Sequence, residues 1–321
     1  MAQKLKIAIA DYPHTMALKD GRIPIAGVDA DFVTVVPQIG AFRRMVRDLE
    51  FDVCELAPTT YLIARAYGAP FVALPIFVMR RFHHGGFLVR PDANIRHPRD
   101  LEGKRVGVRA WSVTTGVWTR AILMEDYGVD CSKITWVVDD EEHVTKMRLP
   151  SNVIHAQGKS LIDMMASGDL VAAFDGNAGI GRSGSPTGGW KQAEAQTYPE
   201  LFPYVASLEA AWFHRTGIYP MHGTIVVKEQ AIADNPDLPR ALFDAFSQAK
   251  NDWLVDLRSG EANTAVDRKY RDLAAVVGDP MPYGMAENMP TIEALMRTSL
   301  AQQLTPRALT LDEAFVDPQR P

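Results

Sequence analysis

The chain has 321 residues, 47% of them apolar and 23% charged, with 34 lysines and arginines against 39 aspartates and glutamates and a formal net charge of −5. That length allows one large domain or two medium ones, and it buries enough surface to fold without a disulfide or metal staple. The acidic balance gives no support to nucleic-acid binding, and no apolar stretch reaches the roughly 20 residues that a membrane helix needs.

Residues 6–11 read as a first strand. Its apolar part, Ile7 to Ala10, stops at Asp11 and is shorter than the ~7–15 residues of a secretory signal. Cys54 and Cys131 are the only cysteines and read as free, buried thiols, so a cytoplasmic protein is expected. A second apolar run covers 33–37. Helical spacing follows over 39–49, with Phe42, Met45, Val46 and Leu49 on one side. Strand-like 51–56, a short helix over 59–68 and strands over 71–77 and 85–89 complete a βαβ pattern that predicts a largely parallel sheet. A short helix at 98–101, a strand at 105–108, a helical stripe from Val117 to Met124, a strand at 134–138, a helix at 160–166 and a strand at 171–174 extend it. Residues 176–189 carry six glycines and read as a loop. The last third reads as mainly helical: a strand at 224–228, long amphipathic helices at 237–257 and 291–303, and a weakly ordered tail over 306–321 that Leu309, Leu311 and Phe315 can dock.

Nucleotide-binding and serine-hydrolase fingerprints are absent, as are His-Glu-x-x-His and Cys-x-x-Cys. His83 and His84 are adjacent, and neighbours on a strand point to opposite faces, so they do not suit one ion. Three segments carry chemistry. In the first, Arg80 and Arg81 stand beside His83 and His84, an anion clamp with an imidazole at hand. The second runs from Arg109 through Trp111, Ser112, Thr114 and Thr115 into Trp118. It is a helix start whose free amides and hydroxyls suit an anion, with tryptophans to flank a flat ligand. The third, Gly217 to Gly223, places Tyr219 and His222 between short turns. Glu55 and Asp175 close strands at the carboxyl end, where α/β proteins bind ligands.

Together these segments resemble the type II periplasmic-binding-protein superfamily and, within it, the 4,5-dihydroxyphthalate decarboxylase family. The superfamily pattern is Asp100-Leu-Glu-Gly-Lys-Arg-Val-Gly-Val before a helix start, then Met165-Ala-Ser-Gly-Asp-Leu-Val-Ala-Ala. The narrower pattern is Phe51-Asp-Val-Cys-Glu-Leu with Tyr61-Leu-Ile-Ala-Arg, Arg80-Arg-Phe-His-His, Val117-Trp-Thr-Arg with Tyr127-Gly-Val, Arg215-Thr-Gly-Ile-Tyr-Pro-Met-His, and Pro282-Tyr-Gly-Met-Ala-Glu-Asn. The resemblance covers residues 4–315. The chain departs from it at His83, where relatives carry arginine, at Gly85 and Gly86, and around Arg109 and Ala110, so another hydroxylated benzoate or phthalate would fit similar anchors.

The resemblance implies a two-lobed α/β fold with the ligand in the cleft between lobes, lobe one holding 1–89 plus 215–321 and lobe two 90–214. It implies loss of one carboxylate from 4,5-dihydroxyphthalate to give protocatechuate and CO2, with a small aromatic dicarboxylate as partner. No cofactor, metal, nucleic acid or membrane is expected, and the oligomeric state, a homo-oligomer included, is left open. Direct loss of CO2 leaves an unstabilised aryl anion, whereas protonating the ring carbon first avoids it. His222 or His84 is the expected proton donor. Glu55 or Asp175 would take a hydroxyl proton. Arg81, with Arg80 and the Thr114–Thr115 helix start, would hold the carboxylate that stays, and Trp111 and Tyr219 would line the ring. The alternative is a solute-binding protein or ligand sensor on the same fold, because fold does not fix function.

Overall fold

The computed structural model describes residues 2–183, 191–192 and 198–320, so the glycine-rich stretch of 176–189 lies outside the described residues from 184 onward. The chain opens with β1 (Gln3–Ala8), the short α1 (Met16–Lys19), β2 (Val28–Phe32), α2 (Ile39–Asp48), β3 (Val53–Leu56), α3 (Pro58–Ala66), β4 (Phe71–Ala73) and β5 (Met79–Arg80). It then crosses over and builds β6 (Phe87–Val89), β7 (Arg105–Gly107), α4 (Thr114–Tyr127), β8 (Thr135–Val138), β9 (Val153–His155), α5 (Leu161–Ser167) and β10 (Ala172–Phe174). A small ribbon, β11 (Arg182–Ser183) with β12 (Lys191–Gln192), and α6 (Val205–Thr216) lead back to β13 (Met221–Lys228). Five helices finish the chain: α7 (Glu229–Asp234), α8 (Leu238–Ser259), α9 (Ala265–Val277), α10 (Met289–Ala301) and α11 (Leu311–Ala314).

Two sheets result. The first has the order β2-β1-β3-β13-β4, with β5 added on β13; the second has the order β6-β10-β7-β8-β9. Within each, the strands built by βαβ turns are parallel, as the alternation predicts. The strands that enter from a crossover, β13 and β6, are antiparallel to their neighbours. Because β6 pairs with β10, the first crossover falls between Arg80 and Phe87, a few residues ahead of the expected boundary at 89.

Central strands are covered on both faces, and all four residues of β3 and all three of β10 are buried, which is why they read as continuous apolar runs. Gly107 in β7 is required by closeness. A Cβ there would lie 2.8 Å from Leu170 and 3.1 Å from Leu161, so any side chain would push the α5 face off the sheet. On α8, Leu238, Leu242, Phe246, Trp253 and Leu257 form one buried stripe, at roughly 1.5–3 kcal/mol per large apolar side chain.

The tail is held by the docking that Phe315 offers: Phe315 packs against Tyr61 and Phe77, the Tyr61 hydroxyl donates to the Ala314 carbonyl, and the Val316 amide donates to Ala73. Helix α9 was not foreseen, although Thr264 and Asp267 cap its start reciprocally, a pattern readable in the sequence.

Candidate active site

A cavity of about 420 Å³ opens between the two sheets. The loops after β1, β3 and β5 and the start of β13 line it from one side. The loops after β7, β8 and β10, with the start of α4, line it from the other. This is the carboxyl-end crevice that α/β topology leaves free for ligands.

One end of the cavity is built from two helix starts. The amides of Thr59 and Thr60 precede the first helical bond of α3, from Tyr61 to Ala57. Those of Thr114, Thr115 and Gly116 precede that of α4, from Val117 to Val113. The helices meet side by side: Thr59 Oγ1 lies 2.7 Å from Thr114 Oγ1 and donates to the Ser112 carbonyl at 2.8 Å. Thr60, Ser112, Thr114 and Thr115 all line the cavity. Arg81 reaches in from the loop after β5, and its Nη2 donates to Thr115 Oγ1 at 2.6 Å. Among the described residues Arg81 makes no ion pair, and its Nε has no hydrogen-bond partner. An uncompensated guanidinium beside two helix N-termini is a carboxylate anchor by charge and by donor geometry.

Two imidazoles flank Arg81. His222 Nε2 lies 3.3 Å from Arg81 Nη2, and the His83 and His222 rings sit 5.3 Å apart at 33°. His83 Nε2 and His222 Nδ1 have no hydrogen-bond partner among the described residues. Burial, and then the Arg81 charge, hold both rings well below the usual imidazole range, so both are neutral near pH 7.

Glu55, at the end of β3, lines the cavity but is 2% exposed. Its Oε1 accepts from the Tyr12 hydroxyl at 2.7 Å and its Oε2 from the Ala10 amide at 3.1 Å. Burial raises its pKa, those two donors lower it, and the Tyr12 hydroxyl is pushed far up by burial and by Glu55. With both oxygens engaged, Glu55 is placed to fix Tyr12 rather than to take a proton from a ligand. Gly223 makes room for it, since a Cβ there would stand 2.7 Å from Glu55 Oε1.

The other end belongs to the second sheet. Arg109 follows β7 and donates to Asp140 at 3.0 Å and to the Asn177 carbonyl at 3.0 Å. Asp175 closes β10 and is exposed at the rim. His143 is 3% exposed and lines the cavity beside Phe42.

Of the residues singled out from the sequence, Glu55, Arg81, Thr114, Thr115, Asp175 and His222 line this cavity. Four others do not. Arg80 turns the opposite way, into the interior, where it donates to the Tyr219 and Pro282 carbonyls and to Asn288 Oδ1. Tyr219 lies beneath it, its hydroxyl on the Pro280 carbonyl and its ring against Phe82. His84 packs on Phe202 and Trp212, and burial holds its pKa down to about 4. Trp111 is a core side chain stacked on the Arg120 guanidinium at 3.6 Å, with its indole N–H on the Gln302 carbonyl.

The site also contains residues to which the sequence reading assigned no role: Tyr12, Thr60, His83, Arg109, His143 and Asn177. For His83 a signal existed, since it shares the two-residue period of Arg81. For Arg109 it was its place at the end of β7. Tyr12 and His143 lie in irregular segments with no local signal. Among the described residues no group of three or more His, Cys, Asp or Glu is arranged to hold a metal ion.

Residues 26–174 match a family model described as the periplasmic substrate-binding protein of a phosphonate ABC transporter. The chain is 31% identical to a 4,5-dihydroxyphthalate decarboxylase of Comamonas testosteroni, over 97% of this chain and 96% of that protein. It is 36% identical to a protein of the same name from Pseudomonas putida, over 53% of this chain and 69% of that one. Among solved structures, the alkanesulfonate-binding protein SsuA from Xanthomonas axonopodis pv. citri, bound to MOPS, superposes with a TM-score of 0.51. It is 15% identical and covers 98% of this chain and 99% of its own. This last likeness is one of fold, the two-lobed periplasmic-binding-protein architecture.

Proposed function

The chain belongs to the 4,5-dihydroxyphthalate decarboxylase family, and from that premise we propose that it decarboxylates 4,5-dihydroxyphthalate, or a close hydroxylated aromatic dicarboxylate, by protonating the ring carbon. The observation that carries the reading is the pairing of Arg81, a half-buried cation with no counter-ion among the described residues, with two neutral imidazoles at the same end of one cavity.

In this reading one carboxylate is held by Arg81, Thr115 and the two helix starts, which leaves the neighbouring carboxylate and its ring carbon over His83 and His222. The free imidazoles are poor acids because they are neutral. A dianionic substrate brings the negative charge that favours their protonated form, so the proton to be spent enters with the substrate. That proton adds to the ring carbon, the C–C bond to the carboxylate breaks, its electron pair restores the aromatic ring, and CO2 leaves. One proton is consumed and one C–H bond formed per turnover. Burial of the site strengthens each of these interactions relative to water. Glu55 holds the Tyr12 hydroxyl at the cavity wall.

A second reading, a receptor or sensor for aromatic carboxylates, is favoured by the match of residues 26–174 to a substrate-binding family and by the shared fold. Incubating the purified, chelator-treated protein with 4,5-dihydroxyphthalate and following CO2 and protocatechuate separates the two. Turnover is the expected result. Tight binding without product would support the receptor reading instead.

A further inference from the structure

The two ends of the cavity differ in charge balance, and that difference orients the ligand. Arg81 makes no ion pair among the described residues. At the other end each arginine already has a carboxylate beside it: Arg109 pairs with Asp140 at 3.0 Å and also feels Glu142, Arg43 shares Asp140 at 3.5 Å, and Arg47 pairs with Glu141 at 3.0 Å. A carboxylate therefore gains most at the Arg81 end, and the matched end suits neutral polar groups. An aromatic dicarboxylate with hydroxyls opposite its carboxylates has such groups at that position.

His143 is an uncommitted polar side chain there. It is 3% exposed and lines the cavity, and its Nδ1 has no hydrogen-bond partner among the described residues. It is also fixed in place. Its carbonyl accepts from Arg47 Nε at 3.2 Å, which ties the loop after β8 to α2, and its ring lies 6.3 Å from that of Phe42. Burial, with Arg109, Arg43 and Arg47 around it, keeps the ring neutral, so it retains a lone pair to accept a hydroxyl proton. We infer that His143 is the residue that selects for ring hydroxyls, accepting a hydrogen bond from the hydroxyl farthest from the Arg81 end. The inference rests on the aromatic-dicarboxylate reading above and adds the group that tells a hydroxylated phthalate from phthalate itself. A site built to hydrogen-bond a hydroxyl penalises an analogue that lacks it, because the buried acceptor is then left unpaired.

The test is the ratio of dissociation constants for phthalate and 4,5-dihydroxyphthalate, measured by stopped-flow binding on a timescale shorter than turnover, on the wild type, His143→Phe and His143→Asn. The wild type is expected to favour the hydroxylated compound by on the order of 10- to 100-fold. In His143→Phe the ratio falls to within about 3-fold while phthalate affinity holds, because the lost contact is to the hydroxyl. His143→Asn keeps a polar side chain but withdraws it from the cavity, gives the same loss, and serves if the phenylalanine variant does not fold. A ratio unchanged in the folded variant, or no preference in the wild type, overturns the inference. Turnover is assayed alongside. A wild type that prefers the hydroxylated ligand but releases no CO2 defeats the decarboxylase reading and leaves the role of His143 standing.

Discussion

Two sides of one short segment behave as different regions of the molecule. Arg81 and His83 face the cavity, where the guanidinium lacks a carboxylate partner among the described residues and the imidazole Nε2 lacks a hydrogen bond. Arg80 and His84, one residue away from each, face the interior. Arg80 there donates to two carbonyls and an amide oxygen and stands over the Phe77 and Tyr219 rings, and His84 is walled in by Phe202 and Trp212. Residue types and sequence neighbourhood are the same on both sides. What separates them is the course of the chain just after β5, which turns neighbouring side chains to opposite sides, so function and stability are interleaved residue by residue.

Substitutions on the two sides should part company. The largest contrast is between the histidines. His83→Ala is expected to lower kcat about 10²- to 10⁴-fold, the usual worth of a positioned proton donor, with phthalate binding retained. His84→Ala leaves kcat per folded molecule within about 3-fold. Steady-state kinetics with a binding control reads both, and equal losses would dissolve the distinction.

The arginines come next. Arg81→Met removes the carboxylate anchor and is expected to raise KM on the order of 10- to 100-fold, as for the loss of a charge-assisted hydrogen bond. Arg80→Met leaves KM alone. It costs about 2–3 kcal/mol of stability, because the Tyr219 and Pro282 carbonyls and Asn288 Oδ1 lose their donor inside the protein. Denaturant unfolding beside kinetics checks the pair.

The smallest effect is one of pH. Burial holds His84 down to about 4, against the 6.5 of an unfolded chain. The unfolded state therefore binds this proton first on acidification. The stabilisation is complete above about pH 6.5 and is lost as pH falls toward 4, by roughly 1–2 kcal/mol between pH 6.5 and 5. His84→Phe should flatten the acid limb of the stability curve by that amount. His14, held to about 4 by burial, adds a loss of the same sign that the variant leaves in place.

Much of the framework was legible because it rests on local pattern. The 39–49 helical spacing became α2, the 51–56 run became β3, and the stripe from Val117 became the body of α4. The anion end of the site was legible for the same reason: helix starts rich in threonine announce themselves, and Arg81 lies on a recognisable segment. Orientation was not legible. Trp111 suited a ring-stacking role in sequence, but its indole is spent on Arg120 and on Gln302, the latter far along the chain. The choice between His83 and His84 needed the course of the irregular segment that follows β5, a strand that already ends at Arg80. His143 and Tyr12 enter the site through loops whose course is set by tertiary contacts, Arg47 on the His143 carbonyl and Glu55 on the Tyr12 hydroxyl.

The central claim is that a dicarboxylate charges the neutral imidazole pair beside Arg81. Titrating phthalate, which mimics the anchor but lacks the hydroxyls, into the wild type at about pH 7.5 in two buffers of different ionisation enthalpy measures protons taken up on binding. The predicted result is uptake approaching one proton, abolished when His83 and His222 are both replaced by glutamine. Binding with no uptake, or uptake that survives in the double variant, would contradict the account.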